Sequence, residues 1–304
     1  MKRPKLITIS GPTAIGKTSF AVTLAKQLGC PILSSDARQF FREMEIGTAV
    51  PTAAEQEGVK HYFIQHKSIH DPYSVGDFEK DAIKLLTTLF KSFEMVILVG
   101  GSNLYTEAVV YGLDIFPDVS EAISEMWQKA YRTHGLVYLQ EELKRLDPKY
   151  FEIVDTQNHV RLLRALGVCT ASGKTYSSFL GQPKKPRSFD TVSLELTMSR
   201  EKLYDRINRR VDMMIENGLV QEVKTLLPYK NLNALQTVGY RELLPYFEGK
   251  QALEESIKNI KTNTRRFAKR QLTWLRNHPV QFKLPYNTAI DKLLIEKLGL
   301  EKSV

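Results

Sequence analysis

Apolar residues in the chain fall in short unbroken runs, separated by longer stretches whose apolar positions recur at helical spacing. Lys5–Ser10 (KLITIS) predicts a buried strand, Pro31–Ser35 (PILSS) a second, and Met95–Val99 (MVILV) a third that runs into Gly100–Gly101. Helical periodicity covers Lys17 to Leu28 and Phe78–Phe93. Continuous apolar strands alternating with helices imply a parallel sheet covered on both faces. From about Leu113 to Ser188 the pattern is helical without a strand signal, and Gly181–Arg187 (GQPKKPR) predicts a linker or exposed loop. Thr191–Thr197 (TVSLELT) returns as a strand. Helices are predicted from Arg200 to Leu227 and from Leu253 to Arg276, and Asn287 to Val304 carries little pattern. The expectation is an α/β protein whose parallel sheet is flanked by helices, with an all-helical insertion. Residues 1–112 and 189–304 would form the core and 113–188 the insertion.

A chain of 304 residues allows one large domain or two moderate ones. Its 42% apolar content fits a globular fold rather than a disordered chain. No apolar run approaches the roughly 20 residues of a membrane span. MKRPKLITIS runs straight into a strand, without an apolar signal region, so a cytoplasmic protein with no membrane association is expected. Cys30 and Cys169 have neither zinc spacing nor a disulfide framework and are expected to be small core residues. A net charge of +9 suggests a polyanionic partner or a merely basic surface, and only its placement decides between them.

One motif carries chemistry outright. Gly11-Pro12-Thr13-Ala14-Ile15-Gly16-Lys17-Thr18 fits G-x-x-x-x-G-K-[ST], and it follows a strand and opens a helix. Glycines there let the backbone curl so that its N–H groups face phosphate oxygens, and the helix N-terminus adds partial positive charge. Lys17 would neutralise the outer phosphate and Thr18 would hold Mg²⁺. Nucleotide hydrolases also place a carboxylate at the end of a second buried strand. Here that strand ends in Gly-Gly-Ser, which weakens an ATPase reading while leaving any diphosphate possible. Ser172-Gly173-Lys174-Thr175 only mimics the motif, because the earlier glycine it needs falls at Val168, so a helix end is expected. Asp36 follows the second strand, on the rim where open parallel sheets bind ligands. Position alone leaves it a catalytic carboxylate or a turn-capping one. Gln39 follows at helical spacing and could reach a base edge.

At these residues the chain resembles the tRNA dimethylallyltransferase family, also called isopentenyl-tRNA transferases. The matching segments run in order from GPTAIGKT (11–18), SSDARQFFREMEIGTA (34–49), HYFI (61–64) and YSVGDF (73–78) to LVGGSNLY (98–105). NHVRLLRAL (158–166), SGKT (172–175), RINRRVDMMIENGLVQEV (206–223), TVGYRE (237–242) and TRRFAKRQLTWLR (264–276) complete the series. The resemblance implies a P-loop core with a helical insertion that grips the anticodon stem-loop of tRNA. It implies dimethylallyl diphosphate held by Gly11 to Thr18 with Mg²⁺ on Thr18, Arg210 assisting, and Asp36 as general base. It implies transfer to N6 of the adenosine immediately 3′ of the anticodon, with release of diphosphate. Contacts to tRNA are implied for Asp36, Ala37, Arg38, Gln39 and Ser102, for Val160, Arg161, Leu162, Leu163 and Arg164, and for Thr237, Gly239, Tyr240 and Arg241. Without a C-terminal zinc finger the bacterial type is expected, as a monomer. Two positions depart from the family pattern. Ala37 replaces the usual Ser and removes a hydroxyl. Asn103 stands where the family usually has Gly, and fits poorly if that position needs positive φ.

The chemistry agrees with the resemblance. The exocyclic N6 of adenine is a weak nucleophile, so the leaving diphosphate must be stabilised and a proton removed as the C–N bond forms. A loop base is also cheaper to extrude than a duplex base. Lys258–Arg276 holds seven Lys/Arg and no Asp/Glu. Ile257, Ile260, Thr264, Phe267, Ala268, Leu272 and Leu275 are its predicted buried stripe. Lys258, Lys261, Arg265 and Lys269 are its predicted phosphate-tracking face. Trp274 is expected in the core. A P-loop kinase for a small acceptor, or a non-catalytic RNA-binding protein, are the rival readings.

Overall fold

A computed structural model of the protein describes residues 3–301. In chain order its elements are β1 (Lys5–Ser10), α1 (Lys17–Leu28), β2 (Ile32–Ser34), α2 (Ala53–Gln56), β3 (His61–Tyr62), α3 (Val75–Leu89), β4 (Met95–Val99) and α4 (Asn103–Tyr111). They continue with α5 (Glu121–Leu146), α6 (Pro148–Phe151), α7 (His159–Ser172), β5 (Asp190–Thr197), α8 (Arg200–Glu216) and α9 (Leu219–Leu226). Last come α10 (Leu244–Phe247), α11 (Leu253–Asn277), β6 (Phe282–Pro285) and α12 (Lys292–Lys297). The strands form one six-stranded sheet in the order β3-β2-β4-β1-β5-β6, with every pairing parallel.

Alternation along each strand explains why the strands are apolar throughout. Ile7 and Ile9 of β1 and Ile97 of β4 pack with Phe20, Ala21 and Leu24 of α1. Leu6 of β1 and Val96 and Leu98 of β4 pack on the opposite face with Phe78, Ala82 and Leu86 of α3. Both faces are covered, so both phases of the two-residue period must be apolar.

Boundaries differ from expectation where local capping decides. α3 begins at Val75, before the predicted Phe78, because Ser74 and Asp77 form a reciprocal capping box. The edge strands β3 and β6 give no sequence signal. β3 has two residues and β6 has four, ending in Pro285, which only an edge position tolerates. α12 lies in the stretch that showed little pattern. Cys30 and Cys169 are buried reduced thiols. No helix among the described residues is long and apolar enough to cross a membrane.

The chain divides into two compact units, Met1–Tyr111 with Arg187–Val304, and Gly112–Pro186. The second unit carries only helices. Its core is Trp127, Leu139, Leu143, Leu162, Ala165 and Leu166. α5 is broken at Gly135, whose φ of 76° and ψ of −169° leave the helix. Asp147 is fully buried and accepts from the Tyr150 and Ser177 N–H groups and the Ser177 hydroxyl. α7 is capped at Asn158 and stops at Gly173 with φ 66°, so the Gly173-Lys174-Thr175 sequence is a helix terminus. Leu162, an expected tRNA contact, is 0% exposed in this core and cannot offer its side chain to RNA. Leu162→Ala should therefore destabilise the protein by about 2–5 kcal/mol in urea unfolding. Arg161→Ala, on the exposed face, should leave stability within about 0.5 kcal/mol.

Candidate active site

The loop after β1 makes an anion cradle because three of its residues take positive φ. Gly11 (146°) and Gly16 (103°) do so as glycines, and Ala14 (64°) does so with a side chain. Gly16 then becomes the N-cap of α1. Pro12 and Ile15 point into protein, and Ile15 is 1% exposed in the core, so its share in any phosphate site is its backbone alone. Thr13, Ala14, Gly16, Lys17 and Thr18 line a cavity of about 720 Å³. Lys17 Nζ donates to the Gly11 and Pro12 carbonyls, both at 3.0 Å, and so braces the curl of the loop.

Across the cavity, β2 exits at Asp36. The exit is held against the loop after β4 by contacts that only glycine permits. A Cβ at Gly100 would lie 2.4 Å from Ser35 Oγ and 2.7 Å from the Asp36 nitrogen. A Cβ at Gly101 would lie 3.3 Å from Asp36 Oδ2. Asp36 Oδ1 accepts from the Arg38 N–H at 3.1 Å, so the residue caps its own turn. The other carboxylate oxygen is the one beside Gly101. Ser102 Oγ accepts from the Ala37 N–H at 3.0 Å. Asn103 starts α4 without positive φ, so its place in the sequence needs no glycine.

Cations surround this carboxylate. Burial lowers Lys17 to about 8, with Asp36 opposing the shift and Arg210 adding to it. Burial also holds the Arg210 guanidinium below its ordinary range, against the pull of Asp36 and Glu55. Arg206 and Arg209 of α8 line the same cavity as Arg210. Arg206 Nε donates to the Ala14 carbonyl at 2.7 Å and so locks the strained crown of the cradle. Arg206 was not expected from the sequence. Its spacing of four from Arg210 on one helix was the available signal.

A second wall is the segment 44–50, fastened from both sides. Glu222 of α9 accepts the N–H groups of Glu45, Ile46 and Gly47 at 2.7–3.0 Å, and the Tyr240 hydroxyl at 2.5 Å. Gln39 lines the cavity, but its amide donates to the Thr48 and Ala49 carbonyls and its oxygen accepts from Ser34 Oγ. The base-edge contact expected of Gln39 would have to compete with these bonds. Arg38 donates to the Asn233 and Ala234 carbonyls, and neither Arg38 nor Ala37 lines the cavity.

Other expected contacts are also redirected. Tyr240 is 1% exposed, and burial together with Glu222 holds its phenol well above the usual range, so it remains a donor. It is a support for the wall, not an RNA contact. Gly239 is buried too, its N–H donating to Glu242, while Thr237 is half-buried and Arg241 exposed. On α7, Val160, Arg161 and Arg164 are exposed and Leu163 is half-buried. On α11, Lys261 pairs with Asp212 at 2.5 Å and Arg265 donates to Asn208, so half of the expected phosphate-tracking face is tied to α8. Lys258 and Lys269 are exposed. Phe267 lies on the predicted buried stripe yet is 37% exposed, because there the stripe passes over the cavity rather than over protein. Trp274 is half-buried and stacks on His278.

Cradle, carboxylate and arginines at the carboxyl ends of parallel strands define a P-loop α/β enzyme with a cationic cleft. Residues 39–278 match the family model described as IPP transferase. The chain is 52% identical over 274 residues to a tRNA dimethylallyltransferase of Christiangramia forsetii, covering 90% of this chain and 91% of that one. It is 48% identical over 295 residues to that of Flavobacterium psychrophilum, covering 95% and 96%. Among solved structures it is similar to a tRNA isopentenylpyrophosphate transferase of Bacillus halodurans, with 36% identity, a TM-score of 0.71 and 98% and 95% coverage. A eukaryotic dimethylallyltransferase acting on tRNA aligns with 25% identity, a TM-score of 0.78 and 98% and 72% coverage. The chain belongs to the tRNA dimethylallyltransferase family of prenyltransferases, also called IPP transferases.

A polyphosphate seated in the cradle should favour the charged form of Lys17. Below about pH 8 the lysine is already protonated, so its contribution to affinity for inorganic diphosphate is complete and should not change with pH. Above that pH, binding should take up a proton and the lysine's contribution should weaken. Calorimetry at about pH 8.5 in buffers of different ionisation enthalpy should show this uptake. Lys17→Met should retain only the ligand's own titration.

Proposed function

We propose that the protein transfers a dimethylallyl group from dimethylallyl diphosphate to N6 of the adenosine immediately 3′ of the anticodon of a tRNA, releasing diphosphate. The observation that carries this reading is a single cavity holding both a phosphate cradle and a carboxylate. Lys17, Arg206 and Arg210 face the cradle, and Asp36 sits among them. β4 ends in Gly100–Gly101 with no carboxylate there, which is poor equipment for the phosphoryl transfer of a kinase.

In the reaction the bond between the allylic C1 and the diphosphate oxygen breaks as the bond from C1 to N6 forms. Backbone N–H groups of the cradle, Lys17, Arg206 and Arg210 take up the charge developing on the leaving oxygens, already in place before it appears. Asp36 accepts the N6 proton, which becomes acidic as the nitrogen is alkylated. No group of three or more His, Cys, Asp or Glu among the described residues could hold a metal alone. Mg²⁺ instead binds with substrate phosphates and few protein ligands. The Thr18 hydroxyl, in the first turn of α1 and lining the cavity, fits such an ion, which would add charge neutralisation at the phosphates.

The acceptor reading draws on the net charge of +9 and on where the exposed cations stand. Arg266, Lys269, Arg270 and Arg276 of α11 are exposed, as are Arg161 and Arg164 of the helical unit. We infer that the helical unit grips the anticodon stem-loop and that the protein works in the cytoplasm as a monomer. The decisive assay incubates the protein with Mg²⁺, dimethylallyl diphosphate and unmodified tRNA, and looks for prenylated adenosine by mass after digestion. Asp36→Ala should lower turnover about 10²–10⁴-fold and leave tRNA affinity nearly intact. Near-normal turnover in that variant would remove Asp36 as the base. Arg164→Ala should weaken tRNA binding and flatten its salt dependence by about one unit of slope.

A further inference from the structure

We propose that Gln271 is a positioning residue that fixes the separation between the phosphate cradle and the Asp36 carboxylate; this rests on the transfer reaction proposed above. Gln271 lies on the inner face of α11 and is 5% exposed. Its Oε1 accepts from the Thr13 N–H of the cradle at 2.9 Å. Its Nε2 donates to the Gly101 carbonyl at 2.8 Å. The amide orientation is dictated by its partners, since a flip would set N–H against N–H and oxygen against oxygen.

Gly101 is also the residue that Asp36 approaches. A Cβ there would lie 3.0 Å from Gln271 Nε2 and 3.3 Å from Asp36 Oδ2, so amide and carboxylate flank one Cα. No other hydrogen bond among the described residues joins residues 11–18 to residues 100–102. One side chain from a distant helix therefore spans the loop that would hold the donor and the loop that backs the base. Strands β1 and β4 are paired only up to Ile9 and Val99, so beyond that point the sheet no longer sets the spacing. Transfer needs C1 and N6 within about 3–3.5 Å, and a misplacement of about 1 Å lowers rates by about 10²-fold. A strut with two short bonds is how that tolerance would be kept.

Two variants separate positioning from packing. Gln271→Met keeps the volume and loses both bonds. Gln271→Glu keeps the acceptor for Thr13, but its carboxyl can donate to the Gly101 carbonyl only when protonated. Gln271→Met should lower kcat for prenyl transfer about 10–100-fold. Its Kd for inorganic diphosphate and for an anticodon stem-loop RNA should stay within about twofold of wild type. The ratio of Gln271→Glu kcat to wild-type kcat should be highest at low pH and fall as pH rises, whereas the ratio for Gln271→Met should stay flat. A kcat within about twofold of wild type for Gln271→Met overturns the proposal. So does a Gln271→Glu profile parallel to that of wild type. If Gln271→Met does not fold, the Gln271→Glu profile decides alone. Wild-type protein that transfers no prenyl group overturns the reaction reading and this inference with it.

Discussion

Parallel pairing of β2, β4 and β1 sets three strand ends at one height. Ile9 and Ser34 both pair with Val99, so the residues that follow emerge together on the carboxyl rim. The anion cradle, the exit carrying Asp36 and the Gly100–Gly101 loop are these three continuations. Parallel strands demand long crossovers, and the crossovers here are the helices that cover both faces. The same pairing that buries the sheet therefore gathers the chemistry. Gly100 completes it, because a side chain at that position would occupy the backbone that presents Asp36.

Around this rim, much of the polar machinery supports rather than reacts. Glu222 spends its carboxylate on three consecutive N–H groups and a phenol to hold one wall. Gln39 holds the same wall from within, and Arg206 holds the crown of the cradle. Such bonds are worth more in a site closed to water than on a surface, and a wall fixed in advance needs no reorganisation during reaction. The arrangement also explains why one strained residue, Ala14, can be kept at positive φ. Its carbonyl has a charged partner 2.7 Å away.

Several residues matched by family pattern have structural reasons to be what they are. Tyr240 and Leu162 sit inside cores, and Arg265 is tied to α8. A motif marks residue types at positions, and it does not tell whether the side chain faces a ligand or the protein behind it. Phe267 shows the converse. Its helical phase assigns it to the buried stripe, and it is exposed because α11 overhangs the cavity there.

The chain by itself determined the alternation of buried strands and helices, the cradle after β1 and the place of Asp36. Those depend on periods of 2 and 3.6 residues and on glycines at fixed offsets, which are local properties. It did not determine the edge strands β3 and β6, too short and too exposed to carry a period, nor the start of α3, set by a capping box. Tertiary structure alone decided that Gln271 and Glu222 belong to the site, and it fixed Arg206 there, for which spacing from Arg210 was the one local signal. Their partners lie as many as 258 residues away, and each reaches backbone atoms, which every residue has and no sequence pattern marks.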